Sequence, residues 1–117
     1  APGQLVGFRR GDLVSRMVIH NGVVHLSGLT ARDTKKGLAD QTREVLERIE
    51  EALAEAGSDK GRILTATIWL ADFQGKEEMN AIWRNWLPTG AAPARAAMEV
   101  ELGEGILVEI MVQAACD

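Results

Sequence analysis

The segment from Pro93 to Ala115, PARAAMEVELGEGILVEIMVQAA, decides the fold because it contains two strand-like runs, one near each end. In the second run every other residue is apolar, which is the period of a strand with one buried face: Ile106, Val108, Ile110, Val112 and Ala114. The opposite face of that run carries a charged residue, Glu109. The first run carries Arg95, on the face that it shares with Ala97. If the two runs pair as neighbouring strands, Arg95 and Glu109 share one face of the sheet.

A tight turn is predicted earlier in the chain, where SRMVIH and VVHLSG flank the dipeptide Asn21-Gly22. Asn-Gly supplies the positive φ angles of a type I′ turn, so residue 20 should lie opposite residue 23, and residue 18 opposite residue 25. Residues 1–14 follow neither a helical nor a strand period. We interpret them as an irregular lead-in with room for a short edge strand.

Two amphipathic helices are predicted from apolar residues at helical spacing, over residues 38–56 and 75–87. Gly57 is placed to stop the first helix, and Pro88 to stop the second. The stretch GRILTATIWLAD between them alternates like a strand. One face of that strand should carry Leu64, Ala66, Ile68 and Leu70, and the other Ile63, Thr65, Thr67 and Trp69.

The order of these elements is a hairpin, a helix, a strand, a helix and two strands. It predicts an α+β fold with both helices on one face of a mixed or mostly antiparallel sheet. The other face would carry side chains that no remaining segment covers: Val18, Val23, Ile63, Thr65, Trp69, Leu107 and Met111. Since this face is too apolar to stay in water, we expect a homo-oligomer that buries it.

Composition narrows the class of protein. A chain of 117 residues is the length of one domain, so we expect a single domain over residues 1–117. Its 13 Lys and Arg against 17 Asp and Glu give a net charge of −4, the wrong sign for binding nucleic acid. No apolar run approaches the roughly 20 residues that span a bilayer, and the only cysteine, Cys116, cannot form an internal disulfide. We expect a cytoplasmic protein without a membrane or nucleic-acid partner.

Arg95 and Glu109 are the candidate site residues that the strand pattern singles out. A guanidinium among apolar strand residues is costly to desolvate unless an acceptor binds its donors bidentately, and a ligand carboxylate would do so. The alternative is a salt bridge within the protein, to Glu99, Glu101 or Glu109. Glu109 is likewise either paired with an arginine or placed for proton transfer. The sequence leaves both alternatives open.

Other polar residues suggest weaker sites. Ser27 and Gly28 end a strand, where the hydroxyl is better suited to bind a ligand than to act as a nucleophile, because no acid orients the nearby His25. His20 and His25 are diagonal neighbours in the predicted hairpin, but no third ligand has recognisable spacing, so we expect no metal site. Asn80 lies in the middle of the second helix, where an asparagine suggests a side chain that makes a specific hydrogen bond.

Several segments together resemble the RidA family, also called YjgF/YER057c/UK114, from about residue 14 onward. They are, in order, HLSG, ADQTREVLERIEEALAEAG, ATIWLADF, MNAIW, PAR and LVEI. The resemblance implies a chorismate-mutase-like α+β fold and a homotrimer with ligand clefts between subunits. It also implies an enzyme that hydrolyses reactive enamines and imines, such as 2-aminoacrylate, to 2-keto acids and ammonia without a cofactor.

The resemblance also implies roles for individual residues. Arg95 matches the arginine that holds the substrate carboxylate, and Glu109 matches the glutamate that positions or activates water. The matching cleft residues are Ser27, Gly28, Asn80 and Ala97. The chain departs from the archetype at Ala97, where many members have cysteine, and at Val14, where the archetype has tyrosine. The W-x-x-W spacing of the second helix and the segment APAR resemble a less characterised sub-branch of the family. The missing tyrosine at Val14 makes a non-catalytic sensor of small carboxylates the alternative function. An endoribonuclease or translation inhibitor, as some relatives are called, is disfavoured by the net charge.

Overall fold

The fold is a six-stranded sheet with two helices packed on one face. A computed structural model describes the backbone of residues 6–117 and the side chains of residues 11–117. The strands are β1 (Val6–Arg10), β2 (Ser15–His20), β3 (Val23–Leu26), β4 (Ile63–Leu70), β5 (Ala94–Glu99) and β6 (Val108–Ala115). They lie in the order β1-β2-β3-β6-β4-β5, and only β4 and β5 pair in parallel. This is the α+β architecture with a mixed sheet that the sequence predicts.

The β2–β3 hairpin confirms the predicted turn and register. Asn21 and Gly22 both have positive φ, 52° and 76°, as a type I′ turn requires. His20 lies opposite Val23, and two residues further along Val18 lies opposite His25. On the outer side of the hairpin, β1 pairs with β2 as an edge strand. The predicted lead-in therefore contains the short edge strand, while its residues 1–5 lie outside the described residues.

The helices are α1 (Leu38–Glu55) and α2 (Lys76–Trp86), and each boundary lies within one residue of the predicted one. Both bury an apolar stripe against the same face of the sheet, because their buried residues recur every three or four positions. In α1 these are Gln41, Thr42, Val45, Leu46, Ile49, Ala52 and Leu53, and in α2 they are Met79 and Trp83. The sheet side of the core includes Met17, Val24, Leu26, Ala66, Ile68, Leu70, Val108, Ile110, Val112 and Ala114. Neither helix has the length and apolarity that crossing a bilayer requires.

The predicted pairing of the two C-terminal strands is wrong. β5 pairs in parallel with β4 at the edge of the sheet, and β6 lies between β3 and β4. The reason is the β4–α2–β5 crossover, since a strand that follows a helix returns parallel to the one before it. β6 takes the central place because alternate residues, from Val108 to Ala114, are fully buried. The glycines at positions 103 and 105 consequently lie in a crossover connection and do not form a hairpin turn.

The first residues of β4 also depart from the predicted alternation. The register between β4 and β6 shifts between Ile63 and Thr65, so one residue is out of step with the rest of the strand. Ile63 is therefore buried in the core, and Leu64 is 47% exposed. The apolar side chain at position 63 belongs to the helix-covered face of the sheet, contrary to the prediction.

A buried glutamine joins α1 to the connection that leads into β6. The amide nitrogen of Gln41 donates to the carbonyl oxygens of Lys36 and Gly105, each at 2.9 Å. Its Oε1 accepts from the backbone N–H of Leu107 at 3.0 Å. Gln41 is fully buried, so these three bonds satisfy polar groups that water does not reach.

Candidate functional site

A groove lies where α2 ends and β5 begins. It has a volume of about 480 Å³ and is lined by Asn80, Trp83 and Arg84 of α2, by residues 87–90, 92 and 93 of the following connection, and by Arg95. We call it the arginine groove. No acidic side chain lines it, so its wall carries two positive charges in a chain whose net charge is −4. A groove with this charge favours an anionic ligand.

Arg95 reaches this groove because of its place in the sheet. It lies opposite Ala66 of β4, and Ala66 is buried on the helix-covered face. The guanidinium carbon lies 5.6 Å from the centre of the Trp83 ring, which is a cation–π contact. Among the described side chains, no carboxylate lies within salt-bridge distance of Arg95. The guanidinium donors are therefore not neutralised within the described part of the chain.

The alternative considered for Arg95, a salt bridge to a neighbouring glutamate, is not formed among the described side chains. Glu99 shares the face of Arg95, since it lies opposite Leu70, but its Oε1 accepts from the backbone N–H of Phe73 at 2.8 Å. Glu99 therefore holds the turn before α2 and leaves Arg95 available.

Asn80 contributes a second unpaired polar group to the arginine groove. Its Oδ1 is buried and, among the described residues, has no hydrogen-bond partner. A buried acceptor without a donor costs free energy, so a water molecule or a ligand group is needed to donate to it. Ala97 lies two residues after Arg95 on the same face and packs partly against the core. Its methyl group adds no polar function to this side.

Glu109 lies on the opposite face of the sheet. It is opposite Trp69 of β4, and Trp69 in turn is opposite Met98 of β5. This face has no helix over it, and Glu109, Trp69, Met98 and Met111 are only partly buried. We call it the uncovered face. In the described part of the chain, Glu109 makes no salt bridge.

Gly28 lies against Glu109 because of an irregularity where β3 ends. From His25 to Leu29 the chain advances four residues, while their partners on β6, Gln113 and Ile110, are three apart. One extra residue is therefore accommodated at Ser27–Gly28, as in a β-bulge, which is a frequent device beside functional sites. A Cβ atom at position 28 would overlap the carboxylate of Glu109. Only glycine at this position leaves the carboxylate where it is.

The expectation that Arg95 and Glu109 share a face is wrong. Arg95 faces the helices with Ala66, whereas Glu109 faces away from them with Trp69. The error follows from the pairing, because the two strands are not neighbours and β4 lies between them. The sheet itself separates the two charges, so one chain cannot place both on one ligand. The six predicted site residues fall into two groups: Asn80, Arg95 and Ala97 on the helix side, and Ser27, Gly28 and Glu109 at the uncovered face and the strand end beside it.

Two other residues that the sequence singles out, His25 and Val14, lie apart from these groups. His25 is exposed on β3, opposite Val18. Within residues 11–117, whose side chains are described, no three histidine, cysteine or acidic side chains cluster as metal ligands would. Val14 is 73% exposed just before β2. The backbone N–H of Ser27 donates to the carbonyl of Arg16 at 3.0 Å, which fixes the chain before the bulge.

A second group of arginines lies along α1, and two of its three members are paired with carboxylates. Arg16 pairs with Glu55 at 3.8 Å, and Arg32 pairs with Glu51 at 3.9 Å. The pKa of Arg48 is lowered, first by burial and then by the nearby positive charges of Arg32 and Arg16. Its guanidinium donates a hydrogen bond to the carbonyl of Thr30 at 2.7 Å. These contacts tie α1 to the sheet and leave the arginine groove as the anion-binding candidate.

Sequence reasoning missed two residues of the groove. Trp83 is buried and forms the surface over which Arg95 lies. Arg84 was not singled out, because an arginine near a helix end usually has no function beyond the helix. The signal that identifies it is its position four residues after Asn80, which places both on one stripe of α2.

Comparison with known proteins gives consistent results across the chain. Residues 11–116 match the family model described as Endoribonuclease L-PSP. A RutC family protein from Haemophilus ducreyi is 39% identical over 102 residues, which cover 86% of this chain and 87% of that protein. The crystal structure of a YjgF family member from Neisseria meningitidis has a TM-score of 0.92 at 35% identity, covering 100% of this chain and 98% of that one.

A protein named for its activity also matches. The human 2-iminobutanoate/2-iminopropanoate deaminase is 28% identical over 111 residues, which cover 94% of this chain and 80% of that protein. The RutC family protein, at higher identity, has a family name without an activity.

Proposed function

Because this chain belongs to the Endoribonuclease L-PSP family, which includes the RutC, YjgF and RidA proteins, we propose that it hydrolyses 2-imino acids to 2-keto acids and ammonia. The observation that carries the proposal is the pair of unneutralised charges, Arg95 in the arginine groove and Glu109 beside Gly28. The activity comes from relatives such as the human deaminase, and the residues of this chain are suited to it.

The site is formed between two copies of the chain. Because Arg95 and Glu109 lie on opposite faces of one sheet, a ligand between them needs the groove of one subunit and the uncovered face of the next. A contact between two different surfaces is head-to-tail, and it closes into a ring when the rotation allows. We propose a homotrimer, which also buries the partly apolar face around Trp69 and Met111.

Each residue then has a chemical task. Arg95 binds the substrate carboxylate with two parallel hydrogen bonds, and the ring of Trp83 holds the guanidinium in place. The Oδ1 of Asn80 accepts a hydrogen bond from the imine nitrogen. The neighbour's Glu109 orients a water molecule and accepts its proton as the oxygen adds to C2.

The remaining steps conserve atoms and charge. Glu109 passes this proton to the nitrogen, which gives the carbinolamine with its hydroxyl and amino groups. Glu109 then accepts the hydroxyl proton and passes it to the amino group, so that the C–N bond breaks and ammonia leaves as the C=O bond forms. Imines already react with water, so orientation and proton transfer by one carboxylate are sufficient, and no metal or organic cofactor enters the reaction.

The test is the decay of an imine produced in solution. An amino-acid oxidase generates 2-iminobutanoate, and its disappearance is followed with wild-type protein, with Arg95→Ala and with Arg43→Ala as the matched control on exposed α1 surface. We expect Arg95→Ala to lose most of the acceleration and the control to keep it. Decay no faster with wild type than with Arg95→Ala would refute the proposal for this substrate.

A second function is favoured by the departures at Ala97 and Val14. A carboxylate-binding sensor would use the same arginine groove without turnover. Calorimetry with 2-ketobutyrate separates the two functions, because saturable binding without imine hydrolysis indicates the sensor. RNA left intact by the purified protein would exclude the ribonuclease that the family name mentions.

A further inference from the structure

The arginine groove contains one more positive charge than a monocarboxylate needs. Arg95 and Arg84 both line it, and the proposed reaction uses only Arg95. Building on the proposed function, we propose that Arg84 is a specificity-determining residue that binds a second carboxylate. The substrate class is then 2-imino dicarboxylates, such as the imine of glutamate.

Arg84 is available for this role because no side chain of residues 11–117 pairs with it. Within the described side chains it makes no salt bridge. The positions that would pair with it along the helix, three and four residues earlier, are Ala81 and Asn80. The acidic residues of α2, Glu77 and Glu78, lie in its first turn, while Arg84 lies in its last. The side chain is exposed to the groove without an internal acceptor.

The volume and lining of the groove agree with a ligand that has two charged ends. Its volume of about 480 Å³ lies within the roughly 300–1,000 Å³ of small-molecule clefts. Trp83, Leu87 and Pro93 line it as well. These apolar surfaces suit the methylene carbons that separate two carboxylates.

A purely structural role for Arg84 gives a different expectation. A cation in the last turn of a helix stabilises it through the helix dipole. Its loss would then lower the melting temperature and leave the choice of substrate unchanged. Selectivity is therefore the measurement that separates the two roles.

The experiment compares one monocarboxylate and one dicarboxylate imine, 2-iminobutanoate and 2-iminoglutarate, through kcat and KM for each. Wild-type protein should have a lower KM for the dicarboxylate by roughly two- to fivefold, as expected for one partly solvated ion pair. Arg84→Gln should bring the ratio of the two KM values close to one, and Arg84→Lys should retain part of the preference. The matched control Arg43→Gln removes the same charge from exposed α1 and should keep the wild-type ratio.

Salt gives an independent measurement of the same ion pair. Because Arg84 is exposed, higher ionic strength should reduce the dicarboxylate preference of wild type and leave the ratio of Arg84→Gln unchanged. An unchanged ratio in Arg84→Gln, with both imines still hydrolysed in an Arg95-dependent way, would overturn this inference alone. Loss of hydrolysis for both imines in wild type would instead refute the proposed function, and with it the role of Arg84.

Discussion

Two inactive variants should restore each other when they assemble together. Arg95→Ala removes the carboxylate-binding charge. Because charged hydrogen bonds contribute about 1.5–3 kcal/mol, we expect imine hydrolysis to slow by roughly 10- to 150-fold. Glu109→Gln removes the proton acceptor. Since the two residues lie on opposite faces of the sheet, the proposed site takes Arg95 from one subunit and Glu109 from the next.

The expected recovery follows from counting sites in a ring. In an equal mixture of the two variants, a site is intact when its groove comes from the Glu109→Gln chain and its uncovered face from the Arg95→Ala chain. Random assembly makes each choice with a probability of one half, so about one quarter of the sites are intact. The mixture should therefore recover about 25% of wild-type activity, whereas a site within one chain would recover none.

The assay is imine decay after the two variants are unfolded together in urea and refolded as a mixture. Variants refolded separately and then combined are the control for subunit exchange. A second mixture, of wild type with the double variant, should retain about one quarter of the activity for a shared site and about one half for a site within one chain. Exchange demonstrated with labelled chains, but with activity no higher than in the separate variants, would refute the shared site.

Three further substitutions test the contacts that support the site. Gln41→Ala should lower the free energy of unfolding by about 3 kcal/mol, because three part-buried hydrogen bonds between its side chain and the backbone are lost, and urea denaturation showing a loss below about 0.5 kcal/mol would contradict this. Gly28→Ala should reduce kcat/KM by about tenfold with a nearly unchanged melting temperature, since the displaced group is the mobile carboxylate of Glu109; full activity would show that its placement is unimportant. Gly22→Ala, at φ 76°, should destabilise the fold by about 1 kcal/mol in thermal unfolding, and equal stability would argue against the tight turn.

Local features of this fold could be predicted from the sequence because their causes are local. Asn21-Gly22 determines the turn and register of one hairpin, and apolar spacing determined both helices to within one residue. The alternation of β5 correctly placed Arg95 with Ala97 on one face. Each of these depends on neighbours a few residues away, where steric preference and periodicity suffice.

The choice of strand partners could not be predicted in this way. Whether β6 pairs with β5 or with β4 depends on which arrangement buries more apolar surface, and residues far apart in the chain decide this. Because the strand pairing was predicted wrongly, the prediction that Glu109 shares a face with Arg95 was wrong as well. Two further features could not be predicted for the same reason, namely the bulge that buries Ile63 and the burial of Gln41. Both depend on contacts with the segment around β6, which is far away in the chain.

The central position of β6 also affects how the protein is made. β6 joins β3 to β4, although it is synthesised after both of them. During translation, the hairpin and the β4–α2–β5 unit therefore emerge as two separate pieces with open edges. The sheet becomes continuous only after residues 108–115 leave the ribosome, so we expect the nascent chain to depend on protection from aggregation until that moment.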